Sequence, residues 1–291
     1  VDQAISPIHD QLEVKAEALG SAVTTLCEGE RKDGQLEDAR AAWSDLQGPL
    51  KQIQAWSFNM SPYRGKSFDI LAYKVDREPS YGDNIEAVIA GDERYRKDLN
   101  QDGDDKPDKP FADGDDQAID ADFVSAQNYL RNAKGYPAVE YLLFGEHDGK
   151  SAAELYQAGD EQAERRCAYL AAATEHANGV IGDYLEAWSR DGGNFAATFE
   201  AASPDNMEWT TIQDSVNALA SQMVFISKDR LSKNLMGGPL GQHSDNAKIP
   251  DTVASPHANA TIDQMKSLLD GLEKIYSGAD GRSLADYTKF R

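Results

Sequence analysis

The acidic segment that begins at Asp98 has the residue types and the spacing of a calcium-binding loop. Oxygen-bearing side chains alternate along it, and Gly103 allows the tight turn that brings them onto one cation. Calcium takes about six to eight oxygen ligands, which this stretch can supply. We therefore predict a calcium site. Its expected ligands are the side chains of Asp98, Asn100, Asp102 and Asp108 and the backbone carbonyl of Asp104.

This loop departs from the EF-hand at its end. Lys109 stands at the twelfth position, where an EF-hand carries a bidentate glutamate, so the site would be a shorter relative of that loop. The acidic run continues through residues 113–116 and could complete the ligand shell within a loop over residues 98–120. The alternative is a solvated acidic loop without a cation, which the many charges, Pro107 and Pro110 favour. If calcium binds, a structural role is expected rather than a catalytic one.

Histidines and cysteines give weaker signals. The five histidines are scattered and form no recognised metal-binding motif. His257 follows Ser255 and Pro256 and is either a binding residue or a polar residue at a helix start. Cys27 and Cys167 either form a disulfide, as in an oxidising compartment, or are two small buried residues. Their spacing is not that of a zinc site.

The spacing of apolar residues predicts an all-α fold. Side chains three or four positions apart form stripes that are expected to face the core. A long helix is expected from about residue 160 to residue 188, and the best strand candidate is the short segment 68–75. The stripes are Leu12, Leu19, Val23, Leu26; Trp43, Leu46, Leu50, Ile53; Ile212, Val216, Leu219, Met223, Ile226; and Ile262, Met265, Leu269, Leu272, Tyr276.

Composition narrows the possible partners. The chain has 291 residues, of which 40% are hydrophobic, enough for one large helical domain or two smaller ones. Its 50 acidic and 29 basic side chains give a net charge of -21, which would repel phosphate backbones and anionic lipids. Nucleic acid is therefore not an expected partner. No apolar run approaches the roughly 20 residues of a membrane span, and the polar residues after Val1 are expected of a mature or truncated chain.

One helical segment carries a motif whose chemistry is altered. The run Gly135-Tyr136-Pro137-Ala138-Val139-Glu140 resembles the GxHxxE motif of imelysin-like proteins, with Pro137 in place of the histidine. Histidine and glutamate three residues apart share a helix face and could hold a cation or polarise a water. Proline has no side-chain donor or acceptor and is tolerated only in the first helical turn. Glu140 is thus left without its expected partner.

The resemblance extends along the chain through several weaker matches. Residues 39–43, which end at Trp43, resemble the first tryptophan-bearing helix of the family, and residues 60–64, which end at Arg64, take the place of its Gly-Pro loop. Residues 165–170 and 230–241 resemble the ends of helices in the second half. Ala254 stands before Ser255 where the family usually has an acidic residue. The chain is accordingly identified as a divergent imelysin-like protein.

The family resemblance implies a fold and a place in the cell. It implies two related helical bundles packed side by side with a cleft between them, and a break in the helical pattern at residues 145–150 places the boundary there. Residues 1–145 would form the first bundle and residues 146–291 the second, together one imelysin-like domain. The resemblance also implies an exported protein of the bacterial envelope, in the periplasm or at the outer membrane. Members of the family are often held there by a lipid anchor on a cysteine, which this chain would have lost. The implied cleft residues are Trp43, Arg64, Tyr136, Glu140 and His257.

Three functions remain open. The favoured one is a non-catalytic envelope protein that binds a small ligand or a protein partner and is linked to iron acquisition, with iron itself a possible ligand. A metallopeptidase, the activity attached to the family name, would need further metal ligands, because Glu140 alone cannot hold a catalytic metal. The third is a calcium-stabilised structural or adhesion module. The loss of the histidine at Pro137 favours the first of these.

Overall fold

Helices make up nearly all of the regular structure in the computed structural model, as the apolar periodicity predicts. The structure describes residues 1–57, 75–78, 80–91, 119–126, 133–156, 161–206, 208–242, 253–278 and 284–285. The all-α prediction is confirmed over these residues; the strand candidate at 68–75 lies almost wholly outside them. The helices are α1 (Ser6–Glu28), α2 (Asp33–Gln52), α3 (Gly82–Ala90), α4 (Ala121–Ala126), α5 (Tyr136–Phe144), α6 (Ala152–Leu155), α7 (Glu161–Trp188), α8 (Phe195–Glu200), α9 (Ile212–Phe225) and α10 (Thr261–Ser277).

Two shorter helical segments extend this pattern. A 3₁₀ turn over Ile53–Ala55 continues α2, and a π-helical segment over Ile226–Gly237 continues α9. No helix in the described ranges is long and apolar enough to cross a membrane.

A small hairpin interrupts the helices where the sequence predicts a break. Strands β1 (Glu146–His147) and β2 (Lys150–Ser151) pair antiparallel, with Glu146 opposite Ser151. The two turn residues, Asp148 and Gly149, have φ angles of +50° and +74°, as a tight hairpin turn requires. The predicted end of the helical pattern at residues 145–150 is therefore confirmed.

The described chain divides into two compact units built from interleaved segments. Unit 1 comprises residues 1–16, 44–72 and 180–291, and unit 2 comprises residues 17–43 and 73–179. Helices α1, α2 and α7 contribute residues to both units. Two sequential bundles with a boundary at residue 145, and the cleft between them, stay a prediction.

In unit 2, a disulfide ties α1 to α7. Cys27 is bonded to Cys167 across 140 positions of sequence, and their Cα atoms are 5.4 Å apart. The bridge resolves the alternative that the sequence leaves open in favour of a disulfide. Around it, Leu19, Val23 and Leu26 of α1 are at most 2% exposed, so the first predicted stripe faces the core.

In unit 1, two of the predicted stripes lie only partly in the core. Ile212 of α9 is 65% exposed, and in α10 Ile262 and Leu269 are 61% and 53% exposed. The buried face of α10 carries Gln264, Leu268, Gly271 and Leu272, of which only Leu272 belongs to the predicted stripe. A Cβ atom at Gly271 would lie 2.5 Å from the carbonyl oxygen of Gln52, so the close approach of two backbones fixes which face is buried. In the stripe of α9, Ile226 is 1% exposed and Val216, Leu219 and Met223 are partly buried, so only Ile212 contradicts that prediction. In α10, Ile262, Leu269 and Tyr276 are exposed, so that stripe prediction is wrong in large part.

Candidate functional site

The motif segment forms the start of α5, and its glycine is required by the local backbone. Gly135 precedes the helix with φ +79° and ψ −171°, a conformation that favours glycine. A Cβ atom there would lie 2.7 Å from the carbonyl oxygen of Val75. Pro137 is the second residue of α5, where its missing N–H costs no helical hydrogen bond. Pro137 thus lies in the first helical turn, where a proline is tolerated.

Trp43 and Tyr136, two of the predicted site residues, are joined by a hydrogen bond. The indole Nε1 of Trp43 donates a hydrogen bond to the carbonyl oxygen of Tyr136 at 3.0 Å. The Tyr136 hydroxyl donates in turn to Oδ1 of Asn178 at 2.9 Å. Burial, with a smaller contribution from the charge of Asp76, raises the pKa of Tyr136 above its ordinary value. Tyr136 is therefore a neutral phenol, and its two hydrogen bonds hold the start of α5 against α2 and α7.

Glu140 lies one helical turn beyond Tyr136 and is almost completely buried. Its exposed fraction is 1%, although a carboxylate is costly to remove from water unless other groups compensate for it. Glu140 does take part in at least one polar or electrostatic interaction, so it is not an isolated charge. Pro137, three residues earlier on the helix, is also buried and adds no polar atom. The motif thus presents one buried carboxylate instead of a His–Glu pair.

A second buried polar cluster in unit 2 is missed by the sequence analysis. Arg166 of α7 donates through Nη2 to Oε2 of Glu86 at 2.5 Å, and the Tyr141 hydroxyl donates to Oε1 of Glu86 at 2.8 Å. Burial, followed by the charge of Glu86, raises the pKa of Tyr141. His147 reaches the edge of this cluster, with Nε2 at 3.8 Å from Oε2 of Glu86. The charged partners are 80 positions apart, so no local spacing could reveal them.

His257, the remaining described residue of the predicted cleft, belongs to unit 1. It is half-buried, and burial lowers its pKa below the usual value. Nearby in sequence, the Ser255 N–H donates to Oγ1 of Thr261 at 3.1 Å, and Nε2 of Gln264 donates to Ser255 Oγ at 2.6 Å. Ala254 is 1% exposed, so the position that is usually acidic in the family is here part of the apolar interior.

Several predicted residues fall outside the described ranges. They are Arg64 and the calcium ligands Asp98, Asn100, Asp102, Asp104 and Asp108. Within the described ranges, no group of three or more His, Cys, Asp or Glu side chains is arranged to hold a metal ion.

The helical fold and the altered motif at the start of α5 define an all-α protein of the imelysin type. The sequence matches the imelysin family over residues 5–290, and the chain belongs to that family. No curated protein matches it.

Solved structures that share the fold include two bacterial proteins. A protein from Parabacteroides distasonis, assigned as an iron-regulated protein A precursor, is 16% identical with a TM-score of 0.68. An imelysin-like protein from Psychrobacter arcticum is 15% identical with a TM-score of 0.58. Each similarity covers 99% of this chain and 76% of the other.

Proposed function

We propose that this protein is a non-catalytic binding protein of the bacterial envelope that serves iron acquisition. The observation that carries the proposal is Pro137 in the first turn of α5, three residues before the buried carboxylate of Glu140. The iron-regulated designation of the Parabacteroides protein supports the link to iron. The Cys27–Cys167 disulfide supports an oxidising compartment outside the cytoplasm.

The argument against hydrolysis is chemical. A catalytic zinc generally has three protein ligands and one open position, and a water activated there needs a base beside it. The pyrrolidine ring of Pro137 has no lone pair to give. Glu140 could serve as one ligand or one base, so the segment that carries the family motif cannot supply both roles. Binding requires less, since one buried carboxylate can orient a ligand that carries a positive charge or a coordinated metal ion.

The experiment uses ferric citrate as the probe and equilibrium dialysis with metal analysis as the measurement. We expect Glu140→Gln to weaken binding about 10-fold or more, because a charge-assisted contact of about 1.5–3 kcal/mol is lost. The control is Glu161→Gln, which removes the same charge from an exposed position at the start of α7. Circular dichroism checks that both variants fold. Equal affinity in the wild type and Glu140→Gln would contradict the assigned role.

The peptidase alternative has its own measurement. The zinc-loaded wild-type protein is incubated with a denatured protein substrate, with and without a chelator. We expect no chelator-sensitive cleavage. Cleavage that disappears in the chelator and in Glu140→Gln would replace the binding proposal with the enzymatic one.

A further inference from the structure

Unit 1 contains an open cavity between the start of α1 and the end of α7. Its volume is about 490 Å³, within the range of about 300–1,000 Å³ of small-molecule sites. The family motif contributes none of its walls. The lining residues that matter for its chemistry are His9, Asp10, Glu13, Glu186, Trp188 and Asp191.

His9 is the buried polar group of this cavity, and its tautomer is fixed by a neighbour. The indole Nε1 of Trp56 donates a hydrogen bond to Nε2 of His9 at 3.0 Å. An acceptor nitrogen carries no proton, so the proton of the neutral imidazole is on Nδ1. Burial lowers the pKa of His9 to about 3, which keeps the ring neutral at physiological pH. His9 is therefore a fixed N–H donor.

The Nδ1 donor belongs to a side chain that lines the cavity. His9 is 9% exposed, and Nδ1 makes no hydrogen bond with any residue that the structure describes. An atom without a hydrogen-bond partner can be either completely buried or accessible to solvent. Nδ1 of His9 is not one of the completely buried ones, so it keeps some accessible surface. His9 lines the cavity and packs with Trp188 at a ring distance of 5.3 Å, and we take this surface to face the cavity. A ligand there meets one buried donor and an indole wall.

The rim of the cavity is strongly acidic. Asp10 and Glu13 of α1 and Asp191 after α7 are exposed carboxylates, and Glu186 is partly exposed. Arg190, a basic side chain in the lining, is itself bound to Glu200 at 2.6 Å and to Asp2 at 3.1 Å. Its charge is thereby offset, and the rim as a whole attracts cations.

We propose that this cavity binds a small organic cation, an ammonium or guanidinium compound that also carries a hydrogen-bond acceptor. The carboxylates at the rim hold the positive groups, and the indole of Trp188 provides an apolar wall for the carbon chain. The Nδ1–H of His9 donates to the acceptor. The site lies in unit 1, whereas Trp43, Tyr136 and Glu140 belong to unit 2, so the two proposals can fail separately.

The test compares three probes by isothermal titration calorimetry on the whole chain. L-argininamide has two positive groups and a carbonyl acceptor, agmatine has the same positive groups without the carbonyl, and L-citrullinamide has a neutral urea in place of the guanidinium. We expect saturable binding of argininamide, with agmatine about 2- to 10-fold weaker because one hydrogen bond is lost. Citrullinamide should bind more weakly than argininamide. Absence of saturable binding, or equal affinity of argininamide and agmatine, would overturn the proposal.

Two pairs of variants locate the site. Glu13→Gln removes a rim charge and should weaken argininamide about two- to fivefold, whereas Asp270→Asn removes an exposed charge on α10, outside the cavity lining, and should change nothing. An equal loss in both would mean that only the net charge attracts the probe.

The second pair of variants tests the His9 donor. His9→Gln can keep both an acceptor for Trp56 and a donor, so this variant should retain the preference for argininamide over agmatine. His9→Leu has neither group and should abolish that preference. If His9→Leu does not fold, the wild-type probe comparison and the charge variants still decide.

Discussion

Position 137 carries a proline, and the neighbouring residues Tyr136 and Glu140 are buried. The backbone carbonyl of Tyr136 accepts a hydrogen bond from Trp43, and Glu140 is 1% exposed. The scaffold that would hold a His–Glu pair is therefore present, because residues three apart on α5 share a face. What the chain lacks at this place is the imidazole.

Pro137→His should restore a metal-binding pair with Glu140. We expect at least a 10-fold gain in zinc affinity over the wild type, measured by competition with a chromophoric chelator. Pro137→Ala is the matched control, because it removes the ring without supplying a ligand and should gain nothing. The same gain in both variants would show that helix flexibility, rather than the imidazole, limits binding.

His9 should make the stability of the protein depend on pH. Its pKa is about 3 in the fold and about 6.5 in the unfolded chain, so the unfolded chain binds the proton more tightly. The stabilisation is complete above about pH 6.5 and is lost progressively as the pH falls toward 3. Between pH 7 and pH 5, we expect a loss of about 2 kcal/mol in the free energy of unfolding, measured by urea denaturation.

His9→Gln is the control for this pH dependence. Gln can accept the hydrogen bond from Trp56 and does not titrate, so the variant should lose less stability over the same interval. The lowered pKa of His257 acts in the same direction in both proteins, so the comparison isolates His9. The same slope in wild type and variant would mean that other groups cause it.

The residues of the site were predictable to different degrees for a physical reason. Trp43 and Tyr136 lie in segments with recognisable patterns, and the fold brings them into hydrogen-bond contact. His9 lies four residues before Glu13, yet its tautomer depends on Trp56, 47 positions away, and its burial on Trp188 at the end of α7. Local spacing predicts which side chains share a helix face. It does not predict which side chains, distant in sequence, pack against that face in the fold.

At the scale of elements, the long helices of the first part of the chain follow the apolar pattern closely, and those of the last part follow it only in part. In α1, the predicted stripe is buried because large aliphatic side chains fill the interior. In α10, Gln264 occupies the buried face and donates to Gln47 at 3.1 Å and to Ser255 at 2.6 Å. Leu268 and Leu272 are buried on the same face, beside the close backbone contact at Gly271. A rule that counts apolar residues registers neither the hydrogen bonds of Gln264 nor the glycine contact, so it places the buried face wrongly.

The disulfide between α1 and α7 should be the strongest single restraint on unit 2. It closes a loop of 140 positions, and the loss of loop-closure entropy in the unfolded chain stabilises the fold by about 2–4 kcal/mol. We expect the Cys27→Ala, Cys167→Ala double variant to lose that amount in urea denaturation. Dithiothreitol should lower the stability of the wild type and leave the double variant unchanged. A wild type unaffected by complete reduction would contradict this expectation.

At the scale of the whole molecule, the charge is far from balance. A net charge of -21 disfavours the compact state by self-repulsion, so bound cations are expected to stabilise the protein. The predicted calcium loop over residues 98–120 concentrates carboxylates in one short stretch. A specific site would add binding energy to the general screening that any salt supplies.

Asp102→Ala tests the calcium site against that general screening. If calcium binds the loop, the wild type should melt at a higher temperature in calcium than after chelation, because a ligand at about 100 times its dissociation constant adds about 2.7 kcal/mol. Asp102→Ala should lower the melting temperature in calcium and hardly change it in chelator, measured by calorimetry at constant ionic strength. Asp38→Ala removes an exposed carboxylate from α2 and should have the same small effect in both conditions. Equal losses for Asp102→Ala with and without calcium would mean that this carboxylate contributes to folding without binding the ion.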